Sequence, residues 1–124
     1  MNNTTTTLAL SADSILGTDV QNPQGENLGH IEDVMIDVNN GRILYAVLSF
    51  GGILGIGNKL FAVPLEAFTV DQTNEQFVID IDQERLEDAP GFDKDNWPAT
   101  SDVTFNTRVY EYYNVHPYWA ALPA

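Results

Sequence analysis

The chain is 124 residues long, which suits one domain and is too short for two ordinary ones. It is 44% apolar, enough for a modest core, and it has no cysteine, which excludes disulfides, thiolate zinc sites, iron–sulfur ligation and cysteine nucleophiles. Eighteen acids against five bases give a formal charge of −13, which repels phosphate backbones and anionic membrane surfaces and argues against nucleic-acid binding.

Residues 1–10 read as a disordered N-terminus, because Thr4 to Thr7 is a polar repeat with nothing to bury. No basic lead and no long apolar run mark a secretory signal there, so a cytoplasmic location is expected. Ser11 to Gly17 predicts one helical turn, with Ser11 as cap and Gly17 as stop. Thr18 to Asn22 reads as a short strand, and Pro23-Gln24-Gly25-Glu26 as a tight turn that needs Gly25. Leu28 to Val38 is the next strand, with a fault in its parity. Ile31 sits on one face, whereas Val34, Ile36 and Val38 sit on the other. One inserted residue repairs that, so the pattern predicts a bulge at or near Glu32-Asp33.

Asn39-Asn40-Gly41 predicts a tight hairpin with positive φ at Asn40 and Gly41. The partner strand, Arg42 to Phe50, is apolar on both faces: Leu44, Ala46 and Leu48 on one, Ile43, Tyr45 and Val47 on the other. Something must cover the second face. The uncharged stretch Ile43 to Gly57 is shorter than a membrane span and holds four glycines, so it reads as a buried strand plus a glycine loop at Gly51 to Gly57. Lys59 to Val63 is a fourth strand, ended by Pro64. Phe68 to Val70 and Gln76 to Ile81 predict a last hairpin around Asp71 to Glu75, and Asp82 to Asp88 a short helix stopped by Pro90-Gly91. Short strands with turns every ten or so residues point to a small antiparallel barrel. Beyond Trp97-Pro98 the composition changes. Thr104 to Ala124 holds six of the chain's thirteen aromatic residues, a tail that wants a surface to lie on.

Motifs for chemistry fall short. Gly52 to Gly57 has P-loop spacing, but Asn58 stands where the lysine should be, and Lys59, one place late, is followed by Leu60 where a hydroxyl is needed. Asp37-x-Asn39-Asn40-Gly41 opens like a calcium loop, yet its glycine is one residue early and Leu48 replaces the bidentate glutamate. Asp80-x-Asp82-x-Glu84 meets Arg85 at the glycine position. His30-x-Glu32 and His116 make an incomplete ligand set, better read as surface residues. Ser49 before Gly51 lacks the first glycine of a nucleophile elbow. No constellation of catalytic roles assembles, so no enzyme, no cofactor and no dedicated metal site are expected. Cations bind such a surface weakly and non-specifically.

The ordered series Ile15-Leu16-Gly17-Thr18-Asp19-Val20, Gly25 to Asp33 and Asp37 to Arg42 resembles the PRC-barrel family. Phe50-Gly51-Gly52, Lys59 to Pro64, Glu84-Arg85-Leu86 and Ala89 to Asp93 continue the resemblance, which covers about residues 11–98. Glu111-Tyr112-Tyr113 and Pro117-Tyr118-Trp119 are similar to the tail of its small stand-alone bacterial members. The family is named for the cytoplasmic domain of the photosynthetic reaction-centre H subunit and includes the C-terminal domain of the ribosome maturation factor RimM. The resemblance implies a compact barrel that docks onto other proteins, with no catalytic centre to carry over. Neither the membrane helix of the H subunit nor the RNA-binding domain of RimM is read in these residues.

The sequence thus predicts an all-β protein: residues 1–10 disordered, 11–98 a small antiparallel PRC-type β-barrel with a short helix after the last strand, and 99–124 an aromatic C-terminal tail. The function expected is a non-catalytic protein-binding or scaffolding module that self-associates, for instance as a homodimer. The alternatives are an accessory subunit of a photosynthetic or other membrane-associated complex, and a cation-binding or ionic-stress protein. Tyr110, Tyr112, Tyr113, Tyr118 and Trp119 are the candidate protein-binding residues. Each is worth about 1.5–3 kcal/mol if buried.

Overall fold

A computed structural model describes residues 9–51, 58–99 and 101–120. Ser11 caps a single helical turn, α1 (Ala12–Ile15), by accepting the Ser14 N–H at 3.1 Å, and Gly17 ends it at φ +83°. Four strands follow: β1 (Asp19–Gln21), β2 (Asn27–Asp37), β3 (Arg42–Gly51) and β4 (Asn58–Val63). Behind Pro64, a 3-10 turn at Leu65–Ala67 leads into β5 (Phe68–Asp71) and β6 (Gln76–Ile79). Then come α2 (Gln83–Glu87), β7 (Gly91–Phe92) and α3 (Val103–Tyr112). The glycine loop expected at Gly51 to Gly57 lies, apart from Gly51, outside the described residues.

The seven strands form one sheet in the order β5-β6-β1-β2-β3-β4-β7. Three expectations about the sheet need correction. The sheet is mixed, because Val20 and Gln21 run parallel to Phe77 and Val78. Among the described residues it is also not closed. The edge of β4 that would meet β5 is taken by β7, where Leu60 pairs with Phe92 and Phe61 with Gly91. For the same reason α2 precedes the last strand rather than following it. Neighbours so far apart in the chain leave no local signal, since alternation shows which face a residue takes but not which strand lies beside it.

Strand β2 makes the sheet curl. In a regular strand, residues three apart face opposite sides. Yet Leu28, Ile31 and Val34 all pack into the same core. Two register shifts make that geometry. One separates the Asp19–His30 and Gln21–Asn27 pairs, and the other falls between Ile31 and Asp33, at Glu32. A third, between Met35 and Ile36, moves Leu44 off the face of Ala46 and Leu48. Ile36 and Val38, expected beside Val34, are 57% and 84% exposed. They lie past that shift, where the hairpin runs beyond the covered part of the sheet. Its turn is a four-residue one, with positive φ at Gly41 but not at Asn40.

Two apolar layers result. The inner one joins Ile15, Val20, Leu28, Ile31, Phe61 and Leu86 with their neighbours. The outer one joins Leu44, Tyr45, Val47, Leu60, Ala62 and Phe92 with Val109 and Tyr110 of α3. Asn22, 3% exposed, ties the Pro23–Glu26 turn to the core: its Oδ1 accepts from Gln24 and Glu26 N–H, and its Nδ2 donates to Glu26 Oε1 and Ile81 O.

Gly29 sits at the first shift with φ +97°, and a Cβ there would stand 1.9 Å from the Ser49 carbonyl oxygen. Gly41, at φ +64°, has nothing within 4 Å of its own. Gly41→Ala is expected to cost about 1 kcal/mol of backbone strain, and Gly29→Ala about 2 kcal/mol or more because strand pairing must also shift. Urea unfolding of the two variants checks the order.

Candidate protein-binding surface

The aromatic tail folds as a helix. Its residues are rich in β-branched and aromatic types, poor helix formers, so composition hides it. Three devices compensate. Asp102 caps the N-terminus by accepting the Phe105 N–H at 3.0 Å. Phe105, Val109, Tyr110 and Tyr113 recur on one side and meet the rest of the molecule. Asn114, at φ +58°, closes the C-terminus, with Val115 N–H on Tyr110 O and Asn114 N–H on Glu111 O. That Schellman geometry turns the chain back, so residues 117–119 return toward the β2–β3 hairpin.

The structure divides the five candidate tail residues into two sets. Tyr110, fully buried, donates its hydroxyl to the Leu44 carbonyl at 2.6 Å. Trp119 packs edge-on against Tyr110 and Tyr118, with ring centroids 4.8 and 5.0 Å away. Tyr118 donates to Asp37 Oδ2 at 2.7 Å, under the Arg42 guanidinium, which lies 4.1 Å from the ring centroid. Arg42 in turn pairs with Glu66 at 3.1 Å. The second set sits beside α2. Tyr112 donates to the Arg85 carbonyl, and Arg85 lies 5.0 Å over its ring. The Tyr113 hydroxyl is buried with no hydrogen-bond partner among the described residues. Burial is the first cause that raises the pKa of Tyr110, of Tyr113 and of Tyr118, which is pushed up to about 12 with help from the Asp37 carboxylate.

Asp37, met in the sequence as the first residue of an incomplete calcium-like loop, is the partner of Tyr118. Its carboxylate accepts from Asn39 and Asn40 N–H, from Asn40 Nδ2 and from Tyr118. The run that opens like a calcium loop is therefore a turn cap, and Asp71 caps the β5–β6 turn through Asn74 in the same way. Asp82 caps α2 through Arg85 N–H. His30 and Glu32 meet at 3.3 Å on the surface, His116 is exposed, and Ser49 is buried within β3. Among the described residues no group of three His, Asp or Glu side chains is placed to hold a metal ion. No helix among them is long and apolar enough to cross a membrane.

Beside the docked tail lies a concavity of about 290 Å³. Leu44 and Asn106 form its floor, Trp119 a wall, and Ile36, Val38 and Val103 its rim. These three rim residues are half of the large apolar side chains the described residues leave exposed. A second concavity, about 390 Å³, lies between α1 and the β5–β6 hairpin. Leu10, Ile15, Val70 and Phe77 give it an apolar lining.

Two expectations follow from the tail. Tyr110→Phe removes the buried hydrogen bond to the Leu44 carbonyl and is expected to cost about 1–2 kcal/mol in urea unfolding. The Asn40 side-chain bond, then the Tyr118 hydroxyl, hold the Asp37 carboxyl below its usual range. A depressed folded pKa gives stability that is complete above the unfolded value near ~3.9 and lost as pH falls through the folded one. Trp119 fluorescence, in a Trp97→Phe background, should therefore change below about pH 4. Asp37→Asn should remove that step.

No curated protein matches the chain. The family model of the PRC-barrel domain matches residues 9–86, which takes in α1, β1 to β6 and most of α2. That span is more than half of the sequence, and the chain belongs to the PRC-barrel domain family.

Proposed function

We propose that this protein is a non-catalytic protein-binding or scaffolding module whose contact surface is the rim of Ile36, Val38 and Val103. The grouping of those three side chains around one concavity carries the reading. Scattered exposed aliphatics are ordinary, whereas clustered ones mark contact surfaces. The core has no use for Ile36 and Val38, which project from a hairpin that Asp37 and Tyr118 hold rigid. Rigid presentation lowers the entropy lost on binding. The ionisable side chains support the non-catalytic part: Asp37, Asp71, Asp82 and Asp102 are each committed to a turn or a helix cap.

In the sequence, the two-sided strand argued for self-association. That warrant is met within the chain, because α3 covers the outer face of β3. A partner of different sequence is the better fit.

Photocrosslinking tests this. A benzoylphenylalanine at position 38 should capture a discrete protein in an extract of the source cells. The same group at Thr69, exposed on β5, should not. Identical products from both positions, or none from position 38, overturn the proposal.

A further inference from the structure

Resting on the binding-module reading, we infer that the concavity rimmed by Ile36, Val38 and Val103 receives a cationic amphipathic segment of a partner protein. The apolar half of that description comes from the rim and floor. Ile36, Val38 and Val103 are 57%, 84% and 60% exposed, and the buried Leu44 lies beneath them. Aliphatic side chains entering there remove both surfaces from water.

The cationic half comes from charge. Asp37 is the one charged residue among those lining the concavity, and Asp102 stands between the lining residues Ser101 and Val103. No lysine or arginine lines it. Arg42, next to the hairpin turn, is already committed to Glu66 and to the Tyr118 ring. The whole chain carries −13, so a second copy, an acidic segment or an anionic membrane meets repulsion on approach. A lysine- or arginine-bearing segment is attracted from a distance, and its polar groups meet Asn39, Asn40 and Ser101 at the rim.

Three helical peptides test this at about 150 mM salt. One alternates leucine and lysine faces, one replaces lysine with glutamate, and one replaces leucine with serine. Calorimetry should show the leucine–lysine peptide binding the full chain, and the other two at least about tenfold more weakly. Ile36→Ser with Val103→Ser, neutral changes at exposed positions, should weaken the first peptide at least about tenfold while the melting temperature holds. Amide shifts in ¹⁵N spectra should centre on Ile36, Val38, Val103 and the Trp119 indole. Equal binding to the serine variant, equal binding of the glutamate peptide, or shifts centred elsewhere overturn the inference. So does a dimer in light scattering that the serine variant abolishes, which would seat a second copy there. Peptide binding that appears only after residues 121–124 are removed would assign the groove to the chain's own end. If crosslinking from position 38 still captures a discrete protein while the peptide fails, the binding-module reading stands and the cationic partner falls.

Discussion

Strand β3 lies between two apolar layers, and the rest of the structure follows from that sandwich. Tyr45, Ala46, Val47 and Leu48 are all without exposed surface, so neither face of the strand is left to water. The inner face is served by the curled sheet and the outer one by α3. Burial of Val109 and Tyr110 alone is worth about 1.5–3 kcal/mol each. A domain has only about 5–15 kcal/mol of net stability, so releasing the tail would forfeit much of it. The tail is thus part of the fold and not a detachable lid. The Tyr110 hydroxyl on the Leu44 carbonyl adds direction to what is otherwise a non-directional contact.

The curl of the sheet has its own cause. Each shift along β2 turns an inward residue out and its neighbour in, and each adds twist. With one near Gly29 and one at Glu32, the inward set becomes Leu28, Ile31 and Val34, spaced by three. Such a strand bends around its core instead of lying flat on it. Gly29 permits the close approach of the Ser49 carbonyl that the bend demands. The same device leaves the far end of the strand outside the wrapped region. Ile36 and Val38 are stranded there with Asp37 between them, and the exposed apolar rim is a by-product of the curvature that makes the core.

What was legible in the residues was local. Ser11, Gly17, Pro23 to Gly25, Pro64 and Asp82 mark their elements through turn and cap chemistry that acts within a few positions. The parity break in β2 and the two-sided apolarity of β3 also stand in the sequence, and they ask for a bulge and for a cover. The parallel pairing of β1 with β6 and the capture of the β4 edge by β7 are not written locally, because they join segments 57 and 32 residues apart, as Val20 with Phe77 and Leu60 with Phe92. Helix α3 escaped for a different reason: Val103, Thr104, Phe105, Val109 and Tyr110 have strand-like propensities that packing overrides. Asp102 before Phe105, with Asn114 after Tyr112, was the signal available for it. The site was half legible. Tyr110, Tyr118 and Trp119 stand out by type, but their partners Asp37 and Arg42 look like ordinary turn residues until the chain folds back.

Acidity and the apolar rim act together. An exposed aliphatic cluster on a hairpin invites association with anything apolar, including other copies of the chain. A charge of −13 opposes that encounter, over a screening length of about 8 Å at physiological salt. Beyond that distance copies ignore one another, and inside it they repel before aliphatic surfaces touch. The barrier is selective by sign. It raises the cost of every acidic collision that must displace water from Ile36, Val38 and Val103, leaves a neutral one unchanged, and lowers that of a basic one. For the partner proposed above, charge would set the rate of arrival and the concavity the residence time, since dissociation is governed by buried apolar contact and not by the screened field. Weakening the charge would therefore change association more than residence, and trimming the rim would do the reverse.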